Sequence, residues 1–325
     1  MSKKLLCAAA LMAALGAPSA WAADKVKLML NWYVTGTHAP FYYGKDKGYF
    51  EKEGIDLEIQ EGRGSGPTIQ AVAANNVTFG FADIGTMMKI TAKGAPVKAV
   101  GVAYQKSPIA LISLAEKKIA RPEDVKGKTV AITPGDAPSQ LWPVFLKKTG
   151  LKESDFKIVA GDAKTKVNAV ATGQADMLIG FSTDQTNEIE YMTKKPTSAL
   201  LFADEGINVA SMSIIANNET LKSNPDMVRR FMRALTTSFE EAAKNPEAAV
   251  ESTTRLVQKA PPRESLLAGF KSSVDLFHTP DTQGQRPFRV SARNMADSTA
   301  MMVEFGGLEK SVGNANLYYT NDYLP

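Results

Sequence analysis

The sequence predicts an α/β protein built of two similar, doubly wound lobes. Strand-like and helix-like segments alternate strictly through most of the chain, which implies a mainly parallel sheet covered on both faces. A second cycle of that alternation echoes the first. The 325 residues suffice for about two domains of ordinary size. Hydrophobic residues at 44% and charged residues at 22% exclude extended disorder, coiled coil and collagen-like repeats.

Runs of branched and aromatic residues mark strands at Val26–Asn31, Ile55–Gln60, Val77–Ala82, Val97–Tyr104 and Ile109–Leu114. Helical periodicity fills Ala39–Lys47, Thr68–Asn75 and Thr86–Lys93 between them. The charged stretch Glu116–Lys128 ends this cycle. Strands at Lys128–Ile132, Phe156–Val159 and Met177–Phe181 then alternate with helices at Ser139–Lys148 and Lys164–Thr172. Ala71-Val72-Ala73 followed by Asn76 returns as Ala169-Val170-Ala171 followed by Gln174, at an offset of 98. Two similar lobes explain that match better than chance.

Past a strand at Ser211–Ala216 the chain turns helical. Asn224-Pro225 opens a helix through Lys244 whose Met227, Phe231, Leu235 and Phe239 form one apolar stripe. Further helices start at Asn245-Pro246 and Pro261-Pro262 and cover Ser291–Phe305. This tail is expected to pack on the first lobe. The predicted organisation is a leader over 1–22, first lobe 23–114, second lobe 115–205, and a return to the first lobe over 206–325.

The leader is read as a removable secretory signal: Lys3 and Lys4 precede the apolar stretch Leu5–Leu15, and Ala20-Trp21-Ala22 supplies the cleavage site. The stretch is too short for a membrane anchor and is broken by Gly16 and Pro18. Cys7, the only cysteine, stands where a lipid-anchoring cysteine does not. The mature chain is therefore expected in the periplasm without disulfide, cysteine zinc site or thiol nucleophile. Without Lys3 and Lys4, 36 basic residues face 34 acidic ones, which gives no electrostatic footprint for nucleic acid.

Two histidines some 240 positions apart, His38 and His278, are too few for a transition-metal centre, and no cofactor motif is present. Gly64-Ser65-Gly66 lacks the spacing of a nucleophile elbow and the lysine of a phosphate loop. Its glycines instead allow close backbone approach to a ligand, beside a helix that points free N–H groups the same way. The loop after the first strand is unusually aromatic, and such loops line the ligand crevice of doubly wound sheets. Asn31, Trp32, His38 and Tyr42 are candidates to hold a flat ligand there, while Phe41 and Tyr43 belong to the core. Asp83, Asp136, Asp162 and Asp184 follow other strands, each a helix cap or a ligand contact. Asp83, Asp136 and Asp184, with Ser139 at a helix start, complete the candidate site. An inward carboxylate would favour amine donors, and the scarcity of basic side chains near these loops, only Arg63 and Lys164, leans away from phosphate and sulfonate, although backbone N–H groups alone can bind anions.

The run Asp46-Lys47-Gly48-Tyr49-Phe50-Glu51-Lys52-Glu53-Gly54-Ile55-Asp56-Leu57 resembles the signature of ABC-importer solute-binding proteins of the pyrimidine-precursor, sulfonate and nitrate superfamily. The Gly64-Ser65-Gly66 loop, the strand Val77–Asp83 and Pro122–Val130 match in the same order. The resemblance implies a type II periplasmic-binding-protein fold whose two lobes, joined by a two-strand hinge, close on a solute and present it to an inner-membrane ABC permease. Asn31, Trp32 and His38 look most like the hydroxymethylpyrimidine-binding branch. Sulfonate, taurine or an aromatic carboxylate is the alternative solute, and an enzyme or sensor accessory the alternative role. The related fungal pyrimidine synthase uses an essential lysine and a cysteine-rich motif, and the missing cysteines speak against that activity. A monomer is expected.

Overall fold

The computed structural model describes residues 22–325; the predicted leader, residues 1–21, lies outside the described residues. Among the described residues there are ten strands: β1 (Asp24–Met29), β2 (Ile55–Gln60), β3 (Phe79–Asp83), β4 (Val97–Val102), β5 (Ile109–Leu114), β6 (Thr129–Ile132), β7 (Lys157–Ala160), β8 (Met177–Phe181), β9 (Thr197–Leu201) and β10 (Met212–Asn217). They form two five-stranded sheets, ordered β2-β1-β3-β10-β4 and β7-β6-β8-β5-β9. Every residue of β3, β5, β8 and β10 is buried, so these central strands are covered on both faces and are apolar but for Asp83, Ser113, Ser213 and Asn217. The outer β2 instead alternates at its start, with Ile55 and Leu57 inside and Asp56 and Glu58 outside.

The sheets are mixed, because the chain crosses between them twice. β10 runs antiparallel to β3 and β4, and β5 antiparallel to β8 and β9. The expected first-lobe boundary at residue 114 is thereby corrected: β5 pairs in the second sheet, so the first crossing is 103–108. An apolar run reads the same in either sheet, and only pairing decides its membership. The return crossing, 202–211, lies alongside the first. Ala103 and Tyr104 N–H donate to Met212 O at 2.7 and 3.1 Å, and Ser211 N–H donates to Tyr104 O at 2.9 Å. These paired segments are the two-strand hinge.

The internal echo is structural. The helix Ser65–Ala73 followed by β3 recurs as Ala163–Ala171 followed by β8, with every bound shifted by 98. The first of these helices starts three residues before the expected Thr68. Pro67 falls in its first turn, where the missing N–H has no helical partner to lose. The helix Gln185–Thr193 and strand β9, absent from the sequence reading, complete the second lobe. The tail helix Pro225–Lys244 packs on the first sheet, where Phe231 stacks on Phe79 at 4.0 Å. Phe277 stacks on Tyr104 at 6.0 Å and so braces the hinge. No helix among the described residues is long and apolar enough to cross a membrane.

Candidate functional site

A narrow cleft between the two sheets is lined from the first lobe by Asn31, Trp32, Gly64 and Ser65. The second lobe contributes Asp136, Ala137, Pro138, Lys166, Phe181, Asp184 and Gln185. These residues follow strands or start helices at the strands' carboxyl ends, where open α/β sheets place ligands. Of the eleven sequence candidates, Asn31, Trp32, Gly64, Ser65, Asp136 and Asp184 come together in this lining. His38, Tyr42, Gly66, Asp83 and Ser139 do not line it.

Each of those five has another partner. His38 is fully buried, its ring edge-on to Phe81. Its Nδ1 accepts the Thr35 N–H at 3.1 Å, so the proton sits on Nε2, which donates to Asn31 Oδ1 at 2.9 Å. His38 thus orients Asn31 and leaves the amide Nδ2 as its free end. Burial pushes the His38 pKa down to about 3, so the ring is neutral. Tyr42 belongs to the hydrophobic core, as do Phe41 and Tyr43. Asp83 caps the helix Ile84–Thr91, accepting from Thr86 N–H at 2.8 Å and from Ser211 hydroxyl at 3.0 Å; burial raises its pKa. Its own N–H donates to Ser65 Oγ at 3.1 Å, which fixes that side chain at the cleft. Ser139 donates its N–H to Asp136 Oδ1 and its hydroxyl to Asp136 O. Gly66 N–H donates to Gly135 O of the opposite lobe.

Lys166 is the principal residue that the sequence reading missed. Its Nζ donates to Asp136 Oδ2 at 2.6 Å and to Ile179 O at 3.0 Å, and lies 5.1 Å from the centre of the Trp32 ring. The pair is almost wholly buried, with side chains 1% and 4% exposed. The signal was present: Lys166 lies on the face of its helix that also carries the buried Val170. At the internal offset it stands where the first lobe has Thr68. The ion pair cancels Asp136 as an open anion, so the expected preference for an amine does not follow from that residue.

Asp184 differs. It is 7% exposed, and its Oδ1 has no hydrogen-bond partner among the described residues. Burial, with the neighbouring Glu188 carboxylate adding, raises its pKa to about 7, against the pull of the Thr35 and Thr37 hydroxyls. Trp32 Nε1 is likewise buried and unpartnered. Gln185 accepts the Phe181 N–H on Oε1 at 2.6 Å, which leaves its amide NH₂ free. The cleft therefore presents the Trp32 indole, with the Lys166 ammonium over its ring, and several N–H donors beside one carboxyl whose pKa is raised to about 7. Among the described residues, no group of three or more His, Cys, Asp or Glu could hold a metal ion.

Two mixed α/β sheets with a hinge of two crossing segments and a cleft between them define the periplasmic-binding-protein fold. The alkanesulfonate-binding protein SsuA of Xanthomonas axonopodis pv. citri, solved with MOPS, superposes with a TM-score of 0.68 at 14% identity, over 92% of this chain and all of that one. Residues 35–249 match the NMT1/THI5 like family, and the chain belongs to it. The riboflavin-binding protein RibY of Chloroflexus aurantiacus is 26% identical over 242 residues, 73% of this chain and 68% of the relative. The 4-amino-5-hydroxymethyl-2-methylpyrimidine phosphate synthase of Aspergillus parasiticus is 25% identical over 240 residues, 70% and 69% of the two chains.

Proposed function

We propose that the protein is the periplasmic solute-binding component of an ABC importer, and that it holds a small, flat, neutral heteroaromatic solute bearing ring acceptors. The observation that carries this reading is the Trp32 indole, a cleft wall whose buried N–H has no partner. Aromatic contact with the indole, beside the Lys166 ammonium over its ring, suits a planar ring, and Trp32 Nε1, Asn31 Nδ2 and Gln185 Nε2 suit carbonyl or ring-nitrogen acceptors. Relatives named for a flavin and for pyrimidine chemistry agree with that class. The sequence-predicted leader supports the compartment.

Helices that begin at Ser65 and Ala137 both reach the cleft, which favours a small anion as a second reading. Asp136 already compensates the second of these helix ends, and Lys166 is spent on Asp136, so a neutral solute fits better. The same engagement makes Lys166 a poor nucleophile, which supports binding over covalent catalysis.

Tryptophan-fluorescence titration of the mature chain tests the reading. The panel is riboflavin, lumichrome, 4-amino-5-hydroxymethyl-2-methylpyrimidine and its phosphate, and MOPS. Saturable binding of a neutral ring compound in preference to MOPS is expected. Binding of MOPS alone would replace this reading with the anion one.

A further inference from the structure

A second cavity, of about 230 Å³, opens beside the cleft and shares Asp184 with it. Trp32 lines the cleft and Tyr33 the second cavity, with ring centroids 5.6 Å apart, so one aromatic pair is the partition. Met192, Pro261, Pro262 and Leu266 supply apolar walls. The charged groups are all acidic: Asp184, with its unpartnered Oδ1, and Glu188, whose Oε2 accepts the Tyr33 hydroxyl at 2.6 Å. No Lys, Arg or His is among the lining residues. Tyr191 and Met192 are 39% and 48% exposed, and the Lys194 ammonium lies 4.1 Å from the centre of the Tyr191 ring.

We propose that this cavity is a tail subsite, which takes a neutral, hydroxyl-bearing chain attached to the ring in the cleft and rejects a tail ending in phosphate, sulfonate or carboxylate. The proposal rests on the reading of the cleft as a ring site. Hydroxyl groups can donate to Asp184 Oδ1 and to the free oxygen of Glu188, while the chain's carbons cover Tyr191 and Met192. An anionic tail would instead meet two carboxyls, with no basic side chain among the lining residues, although Lys164 and Lys166 lie near Glu188 outside that lining.

Lumichrome, riboflavin and riboflavin 5′-phosphate give a closely related fused ring with no tail, a hydroxylated tail and an anionic tail. Riboflavin is expected to bind at least roughly tenfold tighter than lumichrome, and its phosphate roughly tenfold or more weaker than riboflavin. Met192→Trp, which fills the cavity, should bring the riboflavin-to-lumichrome ratio toward one. Glu188→Gln, which can still accept from Tyr33, should reduce the discrimination against phosphate. Thermal melts of both variants establish that they fold. Equal affinity for lumichrome and riboflavin, or a preference for the phosphate, overturns the tail subsite and leaves the ring site standing. Absence of binding by every flavin and pyrimidine overturns the ring reading, and the subsite with it.

Discussion

Gly66 and Gly135 meet across the cleft, one from each lobe, with the Gly66 N–H donating to the Gly135 carbonyl at 3.1 Å. A Cβ on Gly66 would stand 2.9 Å from that oxygen, closer than packing allows. Outside Gly66's own helix and chain neighbours, the nearest atoms to such a Cβ all belong to Gly135 of the other lobe, so the contact depends on how closely the lobes approach.

Gly66→Ala is therefore expected to oppose closure without harming the fold, because alanine is the better helix former. Ligand affinity should fall roughly tenfold or more, with a denaturation midpoint equal to or above the parent's. Small-angle scattering should show the parent contracting on ligand addition and the variant contracting less. Full contraction of the variant at unchanged affinity would remove Gly66 from the closing contact.

Trp32→Ala should weaken binding by about 2 kcal/mol or more, as expected for a desolvated aromatic anchor. Trp32→Phe keeps a stacking face but loses the unpartnered N–H, and should cost about 1 to 2 kcal/mol. Calorimetric titration separates the two contributions. Equal affinity of the Trp32→Phe variant and the parent would show that the indole N–H meets no ligand acceptor.

The buried pair predicts a strongly non-additive cycle. Lys166→Met leaves the Asp136 charge buried alone, so it should cost about 3 to 5 kcal/mol of stability. Adding Asp136→Asn removes the orphaned charge and retains a helix-capping side chain, and should recover most of that loss. Urea denaturation of parent, single and double variants gives the coupling directly. Additive losses would mean that the ion pair is energetically idle.

Two buried groups give pH dependences of opposite sign. His38 has a folded pKa of about 3 against 6.5 unfolded, so the unfolded chain binds the extra proton and stability falls as pH drops from 6.5 toward 3. Asp184 has a folded pKa of about 7 against 3.8, so here the folded chain binds the proton and stability falls as pH rises from 3.8 through 7. Asp184→Asn removes only the second effect. It should be more stable than the parent by about 2 to 4 kcal/mol at pH 8, with the gap closing toward pH 4. A gap that does not change with pH would show that Asp184 titrates normally.

The alternation of apolar runs and amphipathic stretches determined the α/β class, most of the strands, and the repeat at an offset of 98. These are local properties, written in side-chain period and in Pro and Gly placement. The aromatic loop after β1 and the Gly64-Ser65-Gly66 turn were legible for the same reason, since a strand's carboxyl end can be located along the chain. The partners of each side chain were not legible. His38 turns back to Asn31, Tyr42 joins the core, Asp83 caps its own helix, and Lys166 crosses to Asp136, because each choice depends on what another segment brings within a few ångströms. The sheet membership of β5 and the sharing of Asp184 between two cavities were decided in the same way. Strand pairing and burial are long-range: sequence sets which groups can bond or hide, and tertiary packing alone decides which of them meet.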